Sequence, residues 1–167
     1  MGHSNTVLDL IVNNNFKRIA EIGVHKGNTA RTILCNCESV EEYWGIDPYM
    51  SYEQMEEDWD LLYRKICLFM IDFPQFKIVR LLSSEAFMLF PEKYFDLVFI
   101  DGNHNYHTIK NDISLWRILV REGGIICGHD YKEGGKFPFW GVHVAVNEIF
   151  KPEEIETLPN RIFAVRL

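Results

Sequence analysis

The sequence predicts an α/β fold with a doubly wound, seven-stranded sheet, mostly parallel, with an antiparallel C-terminal strand and helices on both faces. Three observations lead to this prediction. Apolar runs of strand length alternate with longer segments of helical period, which is typical of parallel strands joined by helices. The run FDLVFID (95–101) is almost continuously apolar, as in a strand buried on both faces. Two short apolar runs near the C-terminus flank the turn residues Pro159, Asn160 and Arg161, which indicates a β-hairpin.

The first half of the chain predicts three strands, each preceded by a helix. In chain order these elements are helix Ser4–Val12, strand Arg18–Val24, helix Asn28–Cys37, strand Tyr43–Asp47, helix Ser51–Phe73 and strand Lys77–Leu82. The turn-forming run Asn13-Asn14-Asn15 ends the first helix, and Pro48 closes the second strand. The long helix is predicted because Trp59, Leu62 and Ile66 recur at helical spacing.

The second half continues the alternation and ends in the hairpin. Its first predicted elements are a short helix capped by Ser84 and ending at Phe90, strand Phe95–Asp101, and an amphipathic helix carrying Tyr106, Ile109, Ile113, Trp116 and Val120. Strand Gly124–His129 follows the turn Arg121-Glu122-Gly123, and a mobile loop is predicted at Lys132–Phe139. The last elements are helix Gly141–Phe150 and strands Ile155–Leu158 and Ile162–Leu167. Together the elements predict one Rossmann-like domain over residues 1–167.

Composition excludes several classes of protein. Apolar residues make up 47% of the chain and charged residues 25%, the balance of a soluble globular domain. A net charge of -7 without a basic stripe argues against nucleic acid as a partner. We expect no membrane association, because no apolar run approaches the roughly 20 residues that span a bilayer. The four cysteines fit reduced thiols in a cytoplasmic protein, and Gly2 and His3 fit a cloning remnant.

A glycine-bearing turn follows the first predicted strand, in the segment IAEIGVHKGN (19–28). Gly23 lets the backbone approach a ligand where a Cβ would collide, and amides near Gly27 and Asn28 begin a helix whose N-terminus attracts an anion. The spacing is G-x-x-x-G with Glu21 before it, and not the G-x-G-x-x-G of dinucleotide-binding proteins. The turn therefore favours a ligand with a carboxylate and an amine over a pyrophosphate, which argues against an NAD-dependent oxidoreductase.

Asp47 lies at the end of the second strand, 24 positions after Gly23. An acid in this place can accept hydrogen bonds from both ribose hydroxyls of a nucleoside. Taken alone, a glycine or an Asp-Pro turn at the end of a strand is a common structural feature without functional meaning. Their order, at neighbouring strand ends, predicts a nucleoside site.

At this point the chain resembles the class I S-adenosylmethionine-dependent methyltransferases. EIGVHKGNTA is similar to their first motif, WGIDPY to their second and YFDLVFIDG to their fourth, and the resemblance covers about Ile19 to Leu167. It implies S-adenosylmethionine as the cofactor, with Glu21 on the methionine amino group, the turn from Gly23 along the methionine part, and Asp47 on the ribose. It also implies that Ser83 and Ser84 lie near the adenine, where many relatives carry an aspartate in place of Ser83.

A second group of polar residues follows the fourth and fifth strands. Asp101 ends FDLVFID, His104 follows three positions later, and GGIICGHDY carries His129 and Asp130. In a doubly wound sheet these strand ends face the same crevice as the cofactor. Asp101, His129 and Asp130 predict a divalent metal site of the kind that suits Mg²⁺, Mn²⁺ or Ca²⁺, and His104 is the candidate general base beside the cofactor-facing, catalytic Asp101.

The same stretch closely resembles methyltransferases related to cephalosporin hydroxylases and macrolide-sugar O-methyltransferases. That resemblance implies that Asp101, His129 and Asp130 bind a divalent ion, and that His104 removes a proton from the acceptor. His129 stands where those enzymes carry a carboxylate, which lowers the charge of the ligand set. The predicted reaction is methyl transfer to an oxygen of a small molecule or sugar.

Three alternatives remain open at this stage. The transferase can work without metal through His104 alone, or the chain can be a module that binds S-adenosylmethionine without turnover. An NAD-dependent oxidoreductase is the third alternative and is disfavoured by the glycine spacing. The sequence does not decide between a monomer and a homo-oligomer.

Overall fold

The computed structural model describes residues 2–51, 57–133 and 140–167, with Trp140 described by its backbone alone. The helices are α1 (His3–Asn14), α2 (Asn28–Asn36), α3 (Trp59–Asp72), α4 (Ser83–Ala86), α5 (Tyr106–Trp116) and α6 (Trp140–Ile149). The strands are β1 (Arg18–Ile22), β2 (Glu42–Ile46), β3 (Phe76–Val79), β4 (Phe95–Ile100), β5 (Val120–Gly128), β6 (Ile155–Leu158) and β7 (Ile162–Arg166). Short 3-10 turns follow α4 and α5 and precede β6 and β7.

These strands form one sheet in the order β3-β2-β1-β4-β5-β7-β6. Strands β1 to β5 pair in parallel, whereas β7 runs antiparallel to both β5 and β6. The predicted Rossmann-like sheet with an antiparallel C-terminal strand is confirmed. The chain runs outward from β1 to β3 and then returns to β4 on the other side of β1. Ligands bind at such a reversal, beyond the carboxyl ends of the strands.

The sheet is buried on both faces because successive residues of its central strands point in opposite directions. Ile19 and Leu97 belong to the apolar cluster under α1, α2 and α3, whereas Ala20 and Val98 belong to the cluster under α5 and α6. All six residues of β4 are buried. This explains why FDLVFID has almost no polar alternation. Within the described residues, no helix combines the length and apolar character that a membrane crossing needs.

The structure corrects two predicted helix starts. The helix predicted from Ser51 begins at Trp59 in the structure. Asp58 caps it by accepting a hydrogen bond from the Leu61 amide at 2.9 Å. Residues 52–56 lie outside the described part. The cap predicted at Ser84 is wrong. The cap position lies two residues earlier, at Leu82, so helix α4 begins at Ser83 and Ser84 lies inside its first turn. Most of the predicted loop, residues 134–139, also lies outside the described residues.

The turn predicted at residues 121–123 belongs instead to β5. This strand begins at Val120, and its pairing with β4 is irregular between Phe95 and Leu97. Gly123 has a φ of 75°, a backbone conformation that favours glycine, and its amide donates to the Leu167 carbonyl at 2.6 Å. The hydrogen bond to Leu167, the residue after β7, therefore holds residues 121–123 in strand β5, although their local sequence favours a turn.

Candidate functional site

The turn after β1 requires glycine at Gly23. Its φ is 91°, and a Cβ would lie 2.5 Å from the Asp101 carbonyl oxygen and 2.5 Å from the Gly102 Cα. The backbone after β1 therefore touches the backbone after β4 where the sheet order reverses. Gly27, with a φ of 72°, occupies the cap position of α2, and Asn28 is the first residue of that helix. The predicted turn is present, with the N-terminus of α2 at its far end.

Two cavities meet at this turn. One has a volume of about 310 Å³ and is lined on its apolar side by residues such as Ile46 and Leu82. The other has a volume of about 270 Å³ and is more polar. They share four lining residues, namely Gly23, His25, Asp101 and Gly102. An elongated ligand with a ring system at one end and charged groups at the other would match this pair of cavities.

Glu21 supplies a buried carboxyl group to the polar cavity. Its residue is 1% exposed, and the Tyr43 hydroxyl donates to its Oε2 at 2.9 Å. Burial raises the pKa of Glu21 well above its usual value, although the Tyr43 hydrogen bond opposes this. A ligand ammonium group in the cavity would favour the charged carboxylate. The predicted methionine-amine contact thus has a suitable partner in place.

Asp47 lines the apolar cavity and also holds the local backbone. Its Oδ2 accepts the amides of Val24 at 3.0 Å and His25 at 2.9 Å, and its Oδ1 accepts the Tyr49 amide at 2.8 Å. The sequence predicted a ribose contact but not this second task. Each carboxylate oxygen has two lone pairs, so Oδ1 retains capacity for a ligand hydroxyl. Substituting Asp47 would therefore affect both the turn and any ribose contact.

Ser83 and Asp112 meet in the apolar cavity. The Ser83 Oγ donates to Asp112 Oδ1 at 2.5 Å, and both residues line the cavity. The contact of Ser83 with an adenine stays a prediction. Ser84, the other residue predicted there, is not among the residues that line it. Asp112 lies on α5 and is 2% exposed, and burial raises its pKa to about 6, with the Ser83 hydrogen bond opposing the shift. Sequence reasoning missed Asp112, although an acid beside the apolar positions of α5 was a visible signal.

Replacing Asp112 with asparagine is expected to stabilise the protein more at neutral pH than at pH 5. The native state binds the Asp112 proton more tightly than the unfolded chain, so the corresponding stability is lost as pH rises from the ordinary value of 3.8 to about 6. Above pH 6 the buried carboxylate costs up to roughly 3 kcal/mol, from about two pKa units at 1.36 kcal/mol each. Urea unfolding at pH 5 and pH 7.5 measures the difference. Asp72→Asn, at an exposed position on α3, is the control. Equal effects of Asp112→Asn at both pH values would contradict this assignment.

The ends of β4 and β5 and the start of α1 bring five side chains together. We call them the His–Asp cluster: His3, Asp101, His104, His129 and Asp130. Asp101 is at its centre, with His129 Nδ1 3.2 Å and His104 Nε2 3.6 Å from its Oδ1. His3 Nε2 lies 3.4 Å from Oδ2 of the same carboxylate. Burial favours the neutral form of Asp101, but hydrogen bonds from His104 and His129 outweigh it and hold the pKa below its usual value.

Asp130 occupies the other end of the His–Asp cluster. It is 5% exposed, has a φ of 56°, and places Oδ2 3.4 Å from His104 Nε2 and 3.7 Å from His129 Nδ1. Its Oδ1 lies 2.9 Å from the Arg161 guanidinium, in the turn between β6 and β7. The predicted residues Asp101, His104, His129 and Asp130 are thus all adjacent. Arg161 was not predicted and adds a positive charge beside Asp130.

His3 is the member of the cluster that sequence reasoning dismissed. It begins α1, and its ring centroid lies 4.4 Å from that of His129. Burial lowers the pKa of His3, with Asp101 opposing the shift. Thr6 of α1 accepts a hydrogen bond from Asn160 at 2.9 Å, which ties the helix to the turn before β7. No local pattern in the sequence pointed to His3, because α1 reaches the site only through tertiary packing.

The donor groups of the His–Asp cluster differ from those that Mg²⁺ prefers. Two sets of three have ligand atoms within 4.8 Å of one another, namely His3, Asp101 and His129, and His104, His129 and Asp130. Each set contains two imidazoles and one carboxylate. Mg²⁺ takes oxygen ligands and keeps its waters, whereas imidazole suits zinc, iron, nickel and copper. The residues therefore do not fit the Mg²⁺ that the predicted oxygen-rich ligand set suggested, and the divalent site predicted from Asp101, His129 and Asp130 stays a prediction.

The chain is similar to several solved structures over nearly its whole length. A putative caffeoyl-CoA O-methyltransferase from Staphylococcus aureus matches with a TM-score of 0.73 at 16% identity, covering 99% of this chain and 83% of that one. A methyltransferase of Podospora anserina with bound S-adenosylhomocysteine matches with a TM-score of 0.71 at 14% identity, covering 98% and 77%. At these identities the matches establish the fold.

The relatives found by sequence are longer than this chain, and the match covers only part of each. An uncharacterized protein of Acanthamoeba polyphaga mimivirus is 29% identical over 134 residues, which cover 77% of this chain and 57% of the relative. An uncharacterized protein of Sinorhizobium fredii is 24% identical over 121 residues, which cover 68% of this chain but 13% of the relative. The chain thus spans about half, or much less, of the curated relatives that it matches.

Family membership rests on the match to a family model. The model describes a methyltransferase domain and matches residues 20–131, which is more than half of the chain and runs from within β1 to beyond the end of β5. The sheet order and the turn at Gly23 agree with this match. The resemblance drawn from the motifs is confirmed: the chain belongs to the methyltransferase domain family, with the fold of the class I S-adenosylmethionine-dependent enzymes.

Proposed function

We propose that this protein transfers a methyl group from S-adenosylmethionine to an oxygen of a small molecule or sugar. The observation that carries the proposal is the junction of the two cavities at Gly23 and Gly102, directly beside the His–Asp cluster. A nucleoside in the apolar cavity and an amino acid in the polar one would place the sulfonium near that junction. The methyl group would then lie within reach of an acceptor held by the cluster. The O-methyltransferase among the similar structures supports oxygen as the acceptor atom.

Binding of the cofactor is assigned to both cavities. Glu21 would pair with the methionine ammonium, and the amides at the start of α2, near Gly27 and Asn28, would face the methionine carboxylate. Asp47 would accept the ribose hydroxyls through the lone pairs that its backbone contacts leave open. Ser83, with Asp112 beside it, would bound the adenine.

Proton removal is assigned to His104. In-line attack by the acceptor oxygen breaks the carbon–sulfur bond, forms the carbon–oxygen bond and leaves S-adenosylhomocysteine, and the hydroxyl proton goes to the imidazole. His104 Nε2 faces Asp130 at 3.4 Å and Asp101 at 3.6 Å. The two nearby carboxylates favour the proton on Nε2, which would leave Nδ1 as the proton acceptor, and their charge would stabilise the imidazolium that forms. No step is assigned to Mg²⁺, because the cluster is rich in imidazole.

S-adenosylhomocysteine is expected to raise the melting temperature, since a ligand that binds only the native state stabilises it by mass action. Asp47→Ala should remove most of that shift. The shift on adding ligand, and not the melting temperature itself, is the readout, because the substitution also removes the acceptor of three backbone amides. Asp72→Ala, at an exposed aspartate, should keep the full shift. A larger stabilisation by NAD than by S-adenosylhomocysteine would overturn the cofactor assignment.

A further inference from the structure

We propose that His3, Asp101 and His129 bind a borderline transition-metal ion such as Zn²⁺ or Co²⁺ in preference to Mg²⁺. The inference goes beyond methyl transfer, since it needs neither the cofactor nor the acceptor. It also gives a role to a helix, α1, that lies outside the residues matched by the methyltransferase family model.

The spacing of the three donors matches a small metal ion. His3 Nε2 lies 3.4 Å from Asp101 Oδ2, and His129 Nδ1 lies 3.2 Å from Asp101 Oδ1. Ligands at about 2.1 Å from a tetrahedral zinc ion are about 3.4 Å apart. One donor atom from each of the three residues lies within 4.8 Å of the other two, so the side chains must move closer together to close the site. The His3 and His129 rings are already neighbours, with centroids 4.4 Å apart.

The choice of ion follows from the donor atoms. Two imidazoles and one carboxylate are the ligands of many zinc and non-haem iron sites, whereas a Mg²⁺ site is built from oxygen and water. His3 and Asp101 line the polar cavity, so the remaining coordination positions would face the space next to His104. Such an open position lets a bound ion hold a water molecule or a hydroxyl group.

The neighbouring set of His104, His129 and Asp130 is the weaker candidate. Asp130 Oδ1 lies 2.9 Å from the Arg161 guanidinium, and this positive charge opposes a second cation on the same carboxylate. Among the described residues no lysine or arginine is ion-paired with Asp101, although the charge of Arg161 also reaches His3. His3 Nε2 does lie 3.4 Å from the Thr29 hydroxyl, but Thr29 keeps its contact with Ser4 at 3.1 Å when the imidazole turns to a metal.

Calorimetry on tag-free, EDTA-treated protein tests the proposal, with Zn²⁺, Co²⁺ and Mg²⁺ titrated separately and no cofactor present. A Cys35→Ser background removes an exposed thiol that would bind zinc on its own. We expect one saturable site for Zn²⁺ and Co²⁺ with micromolar or tighter affinity, and Mg²⁺ binding at least about a hundredfold weaker. His3→Ala and His129→Ala should each weaken Zn²⁺ binding by about tenfold or more, because each removes a ligand. His107→Ala, at an exposed histidine on α5, should change nothing.

Two results would overturn the proposal. One is Zn²⁺ binding in His3→Ala as tight as in the parent, which would remove α1 from the site. The other is Mg²⁺ binding as tight as Zn²⁺, which would indicate an oxygen-ligand site. The melting temperature of each variant without metal identifies any that fails to fold, and His3→Gln, which also removes the imidazole ligand, then serves in place of His3→Ala. Methyl transfer measured separately in EDTA distinguishes failure of this proposal from failure of the proposed function.

Discussion

Replacing His104 with alanine is expected to lower turnover by about a hundredfold or more while leaving affinity for S-adenosylhomocysteine nearly unchanged. The acceptor hydroxyl must lose its proton as the methyl group arrives, and imidazole is the side chain best suited to accept it at neutral pH. His104 lines the polar cavity, and Gly141 at the start of α6 packs against the backbone that carries it. Release of S-adenosylhomocysteine, measured over a panel of sugars, catechols and hydroxy acids, provides the assay.

Two control variants distinguish a general base at position 104 from a histidine with a structural role. His107→Ala changes an exposed histidine three residues later and should leave both turnover and binding intact. His104→Gln keeps hydrogen-bonding capacity but cannot accept the proton, so it should be as inactive as His104→Ala. If His104→Ala weakens cofactor binding as much as it lowers turnover, His104 positions the cofactor and the base lies elsewhere. Tight cofactor binding with no turnover on any acceptor would favour a non-catalytic binding module.

The fold was predictable because periodicity and topology rules act on the sequence directly. Strand β4 is apolar on both faces, and parallel strands joined by helices leave few alternative arrangements. The errors concern boundaries that distant contacts decide. The segment at Gly123 has the composition of a turn, yet pairing with the end of β7 makes it part of β5. No local pattern within residues 121–123 contains that information.

The site was predictable only where it follows strand ends. Asp47, Asp101 and His129 come directly after parallel strands, so the sheet rule was sufficient to bring them to one edge. His3 and Arg161 reach the same place from α1 and from the turn before β7, and no spacing relates them to Asp101. Asp112 could have been found, since an acid among the buried positions of a helix calls for a partner, and Ser83 is that partner. Because the structure adds His3, the candidate metal ligands are rich in imidazole, whereas the sequence predicted ligands that are mainly oxygen atoms.

Gly23→Ala is expected to destabilise the protein by about 3 kcal/mol or more and to abolish the shift produced by S-adenosylhomocysteine. The φ of 91° is unfavourable for alanine, and the added Cβ would lie 2.5 Å from the Asp101 carbonyl oxygen and the Gly102 Cα. The two backbone segments cannot move apart easily, because hydrogen bonds hold both of them. The Asp101 amide donates to the Ile22 carbonyl at 2.8 Å, and the Gly23 amide donates to the Ile46 carbonyl of β2 at 2.9 Å. In a domain of this size the melting temperature should fall by about 6 to 12 °C.

Gly102→Ala is the matched control for stability, because it adds the same methyl group on the other side of the same contact. Its Cβ would lie 3.7 Å from the Ile22 carbonyl oxygen, an ordinary van der Waals distance, and we expect a loss of less than about 1 kcal/mol. The contrast separates the backbone requirement at Gly23 from a general intolerance of side chains at this junction. Equal losses in the two variants would mean that the junction rejects any added methyl. A stable Gly23→Ala variant that still binds S-adenosylhomocysteine would show that the turn tolerates a Cβ, and the close approach of β1 and β4 would no longer explain the glycine.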